Sequence, residues 1–556
     1  MKGLRISVTI TEYGKSHKLN AETGKRLKEI LDREGIKYSL PCGGSKGCGK
    51  CKVRFLKGAP NADFYEEDVL SDEERADGVR LLCRCILNED CELDLGQQVL
   101  EKDMSIATLE YRAEEQAGQN KSSTAESDSR TSHINTSVSY GIAVDLGTTT
   151  IAAALIRCDD SLSGEDEGCS IIRTASCVNS QRKYGADVIS RIAAAEDETI
   201  LKELSALAVS DIGSLVKELT AAEGISFKGD SPDLKAITIT GNTTMLNLLA
   251  KRNVSGLGKY PYTSNFLDLE QMPSETIMPD IPGINLTLMP GISGFVGADI
   301  VSGLFSLAPN PSEKFFFLDL GTNGEMAFYD GKVMNVTSTA AGPVFEAGGI
   351  SAGAPSVPGA ISHVSIDPGA RKVTYETIGG KAPIGICGTG VMEIVSELYG
   401  NGIIDDTGLL TEKFFEEGFP VTEDGSIRFT QGDIRNVQLA KAAILTGAKA
   451  LLQGKEPDRV YIAGGFGSNI SQENISNLKM FPKAFDGKIV AVGNSALKGA
   501  ALFTTKVLSG EKALEDAAEE LERIARSAKV TQLAELDSFD EDYIEAMNFG
   551  LGEDFE

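Results

Sequence analysis

Six of the ten cysteines fall before residue 92, and four of them have a spacing with chemical meaning. Cys42, Cys48 and Cys51 make a C-x5-C-x2-C run inside Pro41-Cys42-Gly43-Gly44-Ser45-Lys46-Gly47-Cys48-Gly49-Lys50-Cys51, and Cys83 follows in Arg80-Leu81-Leu82-Cys83-Arg84. Three thiolates on a glycine-rich loop plus one from a distant strand is the ligand pattern of a [2Fe–2S] cluster. The glycines let the loop curl so that backbone N–H groups face the cluster sulfurs. A zinc ribbon would use two short C-x2-C knuckles, and only Cys48/Cys51 makes one. The same loop reads GxxxxGKC, but a P-loop needs a hydroxyl at that last position. Cys85, Cys91, Cys158, Cys169 and Cys177 are expected to be buried, inert thiols.

A second chemistry is written twice. The apolar run Tyr140–Val144 leads into Asp145-Leu146-Gly147-Thr148-Thr149-Thr150, and Phe315–Leu318 leads into Asp319-Leu320-Gly321-Thr322-Asn323-Gly324-Glu325. A carboxylate at a strand end can hold the water shell of Mg²⁺. The glycine lets backbone approach a polyphosphate, and Thr hydroxyls and free N–H groups donate to it. Two more glycine turns follow: Gly388-Thr389-Gly390, leading into a helix at 391–398, and Gly464-Gly465-Phe466-Gly467 after the strand Arg459–Ala463. One such turn is ordinary punctuation; the signal lies in the order of all four. Glu325 and Glu346 stand where a residue could position hydrolytic water, by position alone.

These residues need elements to hold them. Alternating Ile6, Val8 and Ile10 predict an opening strand, Leu27, Ile30 and Leu31 an amphipathic helix over 25–33, and Lys52–Phe55 a strand after the cysteine loop. Between Ala117 and Ser139 the aliphatic residues are too few to offset chain entropy, which predicts a flexible linker over 99–139. The expected units are 1–98, the linker, 140–505, and an acidic, helical extension over 506–556.

The formal net charge is −27, from 54 Lys+Arg against 81 Asp+Glu, which argues against a nucleic-acid binder. Residues 1–100 carry 17 of each sign, so all the excess acid lies beyond them, with 4 basic and 15 acidic residues in 511–556. Lys46, Lys50, Lys52, Arg54 and Arg84 ring the cysteine loop, either as a solvated surface or as a docking rim for an acidic donor or for the chain's own acidic half, with the 511–556 tail as the candidate resting dock. Three His residues exclude a multi-His metal centre. No stretch nears ~18 apolar residues, and Met1-Lys2-Gly3-Leu4-Arg5 runs straight into a strand rather than a signal peptide. A reducing, cytoplasmic setting without a membrane is expected.

With these motifs in place, residues 1–98 resemble an adrenodoxin-like [2Fe–2S] ferredoxin domain of β-grasp fold. Residues 140–505 resemble the duplicated α/β ATPase fold of the actin, sugar-kinase and Hsp70 (ASKHA) superfamily. That likeness implies an ATP–Mg²⁺ site with Asp145 and Asp319 as catalytic carboxylates. Gly147, Thr148, Thr149, Gly321, Thr322 and Asn323 would line the phosphates, Gly388 and Thr389 the connecting segment, and Gly464, Gly465 and Gly467 the adenosine.

The combination resembles the reductive activators of corrinoid proteins. Tyr184–Arg191, Gly241–Met245, Ala341–Glu346, Gly385–Gly390 and Val492–Ala496 carry longer signatures. The short linker leaves little room for the extra small domain of some relatives, and a tail without Cys does not match the second-cluster variants. The resemblance implies ATP-dependent electron transfer from the [2Fe–2S] cluster to Co(II) of a methyltransferase's corrinoid protein, and a homodimer. No NAD or flavin fingerprint is present, so an external low-potential donor is implied. Two other readings stay open: an electron-injecting activator of the 2-hydroxyacyl-CoA dehydratase type, and a redox-sensing, nucleotide-gated regulator.

Overall fold

The alternation of Ile6, Val8 and Ile10 does what period 2 requires: all three are buried on one face of the first strand. In this computed structural model, residues 5–12, 15–34, 36, 38, 40, 51–95, 138–159, 168–227, 233–264, 266–310, 312–367, 373–464 and 472–551 are described. Cys42, Cys48, Lys46, Lys50, Gly465, Gly467 and most of the expected linker lie outside them. The first unit comprises β1 (Arg5–Glu12), β2 (Lys15–Glu22), α1 (Leu27–Arg33), β3 (Lys52–Lys57), α2 (Phe64–Val69), α3 (Asp72–Ala76), β4 (Val79–Leu81) and β5 (Cys91–Asp94). Its sheet order is β2-β1-β5-β3-β4, with β1 and β5 parallel. Leu27, Ile30 and Leu31 of α1 pack onto it, which is the β-grasp arrangement.

The remainder contains one device built twice. The first copy runs β6 (Val138–Leu146), β7 (Thr150–Asp159), β8 (Cys169–Val178), α4 (Val188–Ala194), α5 (Glu198–Glu223), β9 (Leu234–Gly241), α6 (Thr243–Leu249), β10 (Glu270–Pro273), β11 (Asn285–Leu288) and α7 (Ala298–Leu307). The second runs β12 (Phe315–Leu320), β13 (Gly324–Tyr329), β14 (Met334–Thr339), α8 (Gly388–Gly400), α9 (Gln431–Leu452), β17 (Arg459–Ala463) and β18 (Ile489–Gly493), with β15 (Ala360–Ile366) and β16 (Val373–Thr377) in a side sheet. The sheet orders are β8-β7-β6-β9-β11-β10 and β18-β17-β12-β13-β14-β19, where β19 is Ala528–Val530. In each, an antiparallel three-strand meander is extended by two parallel strands beside its first strand. That repeated α/β plan is the ASKHA fold.

Helix α10 (Ser495–Ser509) returns from the second sheet to the first. Its Gly499 lies so close to α7 that a Cβ would sit 1.9 Å from the Ser302 carbonyl oxygen. Ser302 Oγ donates to Ala496 O (2.6 Å), and Thr504 Oγ1 donates to Thr238 Oγ1 on β9 (2.9 Å). The two halves are thereby clamped behind the cleft between them.

The acidic tail forms α11 (Glu511–Ser527), the strand β19 and α12 (Phe539–Ala546). It is integrated: β19 pairs with β14, and fully buried Lys441 of α9 donates to Ala546 O (2.6 Å) and Asn548 O (2.7 Å). Lys441→Ala would leave both carbonyls unmatched beside a cavity, so a loss of about 2–4 kcal/mol is expected. Denaturant unfolding checks it, and a change below about 0.5 kcal/mol would show that the tail adds no stability through this lysine.

Candidate functional site

Each D-L-G-T loop leaves the carboxyl end of the first strand of its sheet. Asp145 stands on β6 opposite Thr240 of parallel β9, and Asp319 on β12 opposite Ala463 of β17. The turn after each neighbouring strand therefore lies beside the loop. Asn242 Nδ2 donates to Thr148 Oγ1 (3.0 Å), and Gly464, at φ +91°, sits so near the second loop that a Cβ would meet Leu320 O at 2.5 Å. Asn494 Nδ2 reaches Asp145 Oδ2 (2.9 Å) while its Oδ1 caps α10 through Leu497 N–H (2.7 Å). Gly388, at the start of α8, meets the segment 343–346: a Cβ there would fall 1.9 Å from Phe345 O. Thr389 follows it in the first turn of α8.

The two loops face one another across the cleft. Thr149 Oγ1 donates to Glu346 Oε2 (3.2 Å), and Thr322 of the other loop lies near enough to Glu346 to favour its charged form. Asn323 Nδ2 donates to Glu325 Oε1 (3.2 Å), which orients that carboxylate from the same loop. Asp299, second residue of α7, joins Asp145, Asp319, Glu325 and Glu346 as a fifth cleft carboxylate. No motif surrounds it in the sequence, where an Asp in the first turn of a helix reads as an ordinary partner of the helix dipole. Among the described residues no three His, Cys, Asp or Glu side chains converge tightly enough to ligate one ion directly. A cation held there through waters suits Mg²⁺, which dehydrates reluctantly.

Burial is the first cause that raises these carboxyl groups. Asp145 is pushed up to about 6, with Asn494 opposing. Asp299 goes to about 7 through burial and the charge of Asp145. Asp319 goes to about 8 through burial, Asp299, Asp145 and Glu346. Glu325, itself buried, is raised as well, first by burial, whereas Glu346 is exposed to solvent. A carboxyl raised in the folded state contributes stability that is present below its unfolded pKa and lost as pH rises through the folded value. The apoprotein's Tm is therefore expected to fall between pH 6 and pH 8. Mg²⁺ with nucleotide should raise Tm more at pH 8 than at pH 6, because the cation displaces protons. Calorimetry at the two pH values decides it; an equal increment would remove these carboxyls from the cation site.

In the first unit, the register of β3 against β4 places Cys51 beside the 82–84 turn, with Leu82 N–H donating to Cys51 O (2.8 Å). Cys51 and Cys83 Sγ atoms are 3.3 Å apart and both residues are buried. Two thiols held this close on separate segments fit one side of a four-thiolate cluster site. Cys85 donates to Leu81 O (3.3 Å), and burial pushes its thiol far above the usual range; burial lifts Cys91 to about 11. Both fit structural thiols.

One expectation is corrected. Cys158 and Cys169 are not separate inert thiols but a disulfide between β7 and β8, whose register sets them opposite each other. Among the described members of the basic ring, Lys52 pairs with Glu74 (2.6 Å), Arg54 with Asp77 (3.0 Å) and Arg84 with Asp63 (2.5 Å), all inside the first unit. The first unit meets the rest of the chain at Lys183, which pairs with Asp32 (3.0 Å), and at Tyr184, whose ring centroid lies 5.6 Å from Lys28 Nζ.

Fold and site together define a [2Fe–2S] ferredoxin-type domain joined to an ASKHA-type domain. Among the described residues no helix is long and apolar enough to cross a membrane. Family models match residues 10–88 (2Fe-2S iron-sulfur cluster binding domain), 140–308 (RACo middle region) and 313–554 (C-terminal domain of RACo, the ASKHA domain). The chain belongs to the RACo family. It is 32% identical over 403 residues to the corrinoid activation enzyme RamQ of Eubacterium limosum, covering 67% of this chain and 65% of that one. It is 25% identical over 322 residues to the [Co(II) methylated amine-specific corrinoid protein] reductase of Methanosarcina barkeri, covering 49% of this chain and 56% of that one. The matches thus span less than two thirds of either relative. A solved reductive activator for corrinoid, iron–sulfur protein superposes over 98% of both chains, at TM-score 0.62 and 26% identity.

Proposed function

We propose that this protein uses ATP to drive one electron from a [2Fe–2S] cluster onto the Co(II) of a corrinoid protein, restoring the Co(I) that methyl transfer requires. The observation that carries the nucleotide half is the Thr149–Glu346 hydrogen bond (3.2 Å), which ties the first D-L-G-T loop to the half of the chain that carries the second. Asp145, Asp319 and Asp299 would hold hydrated Mg²⁺, and loop N–H and hydroxyl groups would take the phosphates. Glu346 would position the hydrolytic water. Cys42, Cys48, Cys51 and Cys83 would hold the cluster, which when bound supplies the single electron. The donor that refills it is external.

ATP is needed on energetic grounds. Plant-type [2Fe–2S] clusters lie near about −400 mV, and each further 59 mV demanded by the acceptor costs about tenfold in equilibrium constant. A nucleotide can offset this only by interacting differently with two states of the complex. The names of the relatives and the ferredoxin domain favour a corrinoid acceptor over an acyl-CoA dehydratase. Mixing Co(II) corrinoid protein, reductant, ATP and this protein tests the reading. Co(I) absorbance that requires ATP is expected; no Co(I), or an equal yield without ATP, overturns it.

A further inference from the structure

The Tyr184–Arg191 signature has no part in the cleft chemistry, yet it sits between the phosphate loop and the ferredoxin domain. On its outer side, the Lys183 ammonium bridges carboxylates of both units: Asp32 Oδ1 of α1 at 3.0 Å and Glu203 Oε1 of α5 at 2.7 Å. Tyr38 OH donates to the same Asp32 oxygen (2.6 Å). Lys28 of α1 lies 5.6 Å from the centroid of the Tyr184 ring, within cation–π range. The hydrophobic cores of the two units remain separate clusters. A contact made of ion pairs and one ring face, without a shared core, is the kind that opens and closes.

On its inner side the same segment grips the phosphate loop. Asn179 N–H donates to Thr149 O (2.9 Å), and Asn179 Nδ2 to Gly147 O (2.8 Å). Fully buried Arg191 donates from Nη2 to Thr148 O (2.6 Å), from Nε to Gly185 O (2.9 Å) and from Nη1 to Gln181 Oε1 (3.3 Å). The carbonyls of Gly147, Thr148 and Thr149 are thus all held by the stretch that carries Lys183 and Tyr184. A shift of that loop must move the turn Ser180–Tyr184 or break these bonds.

We propose that the ferredoxin domain docks through α1 and Tyr38 on the corner formed by Ser180–Tyr184 and α5, and that Asn179 and Arg191 couple this dock to the phosphate loop. Nucleotide occupancy then biases whether the cluster domain is parked or released. The inference rests on the reading that Gly147–Thr149 binds nucleotide. It gives the nucleotide a route to the cluster domain inside one chain, before any corrinoid protein arrives. Coupling of this kind is reciprocal: whatever factor nucleotide applies to docking, docking applies to nucleotide affinity.

The test uses the full, cluster-loaded chain. Asp32→Lys faces Lys183 with a like charge, and Asp32→Lys with Lys183→Glu restores an opposed pair; Glu203→Gln is carried in the reference and in every variant, so that the new carboxylate at 183 meets no like charge. Small-angle scattering should show a larger radius of gyration for the single variant and recovery in the double. Retained visible absorbance of the cluster verifies that the domain is folded. Affinity for Mg²⁺ with a non-hydrolysable ATP analogue should shift about fivefold or more in the single variant and return in the double. An unchanged radius overturns the dock, and an unchanged affinity with a changed radius overturns the coupling. Failure of the wild type to bind the analogue would instead overturn the nucleotide reading, and the radius would still decide the dock.

Discussion

Asp319→Asn is expected to lower ATP-dependent Co(I) formation by about 10²–10³-fold while leaving the cluster's absorbance unchanged. The side chain keeps its volume and one oxygen, so the fold loses little. What it loses is a negative charge among four other carboxylates: Asp145, Asp299, Glu325 and Glu346. In the apoprotein that loss relieves repulsion, and the variant should be more stable than wild type above pH 8, the value to which Asp319 is pushed up. With Mg²⁺ and ATP the sign reverses, because the cation's field is no longer matched. Stability gained and turnover lost in one variant is the signature of a site kept for function. ATP hydrolysis, Co(I) yield and apoprotein Tm checked together decide it; turnover within about threefold of wild type would remove Asp319 from the catalytic set.

Asp299 shows where sequence reading stops. Asp145 and Asp319 announce themselves because their partners are adjacent: apolar strand before, glycine and threonine after. Asp299 enters the cleft only because β11 lies beside β9, which brings the start of α7 to Asn242, where a Cβ on Gly297 would sit 2.6 Å from that residue's Cα. No local pattern encodes that approach. The same holds for Asn494, 349 positions from the Asp145 it bonds, although its signature was visible. Local periodicity and strand-end glycines were legible, and so was the duplicated plan, since each copy repeats them. Register was not. Cys158 and Cys169 look unrelated until β7 and β8 pair, and Lys52, Arg54 and Arg84 look like a free rim until α2, α3 and their flanking turns bring Asp63, Glu74 and Asp77 against them.

Cys83→Ser and Cys85→Ser, two positions apart, are expected to differ completely. Serine at 83 replaces a thiolate that stands 3.3 Å from Cys51 with a poor ligand for iron, so the [2Fe–2S] absorbance and its reduced-state EPR signal should be lost. Co(I) formation should then fall by at least about 10³-fold, since the group that passes the electron is lost. ATP hydrolysis in the absence of the corrinoid protein should persist, because the cleft is built wholly from residues beyond 140. At 85 the thiol is held protonated by burial and spends its hydrogen on Leu81 O, a bond that a serine hydroxyl can also make. Cluster content there should stay near wild type, with a stability change of about 1 kcal/mol. The contrast separates ligation from packing at one turn of the chain. A Cys83→Ser protein with a full cluster spectrum, or a Cys85→Ser protein without one, would reassign the fourth ligand.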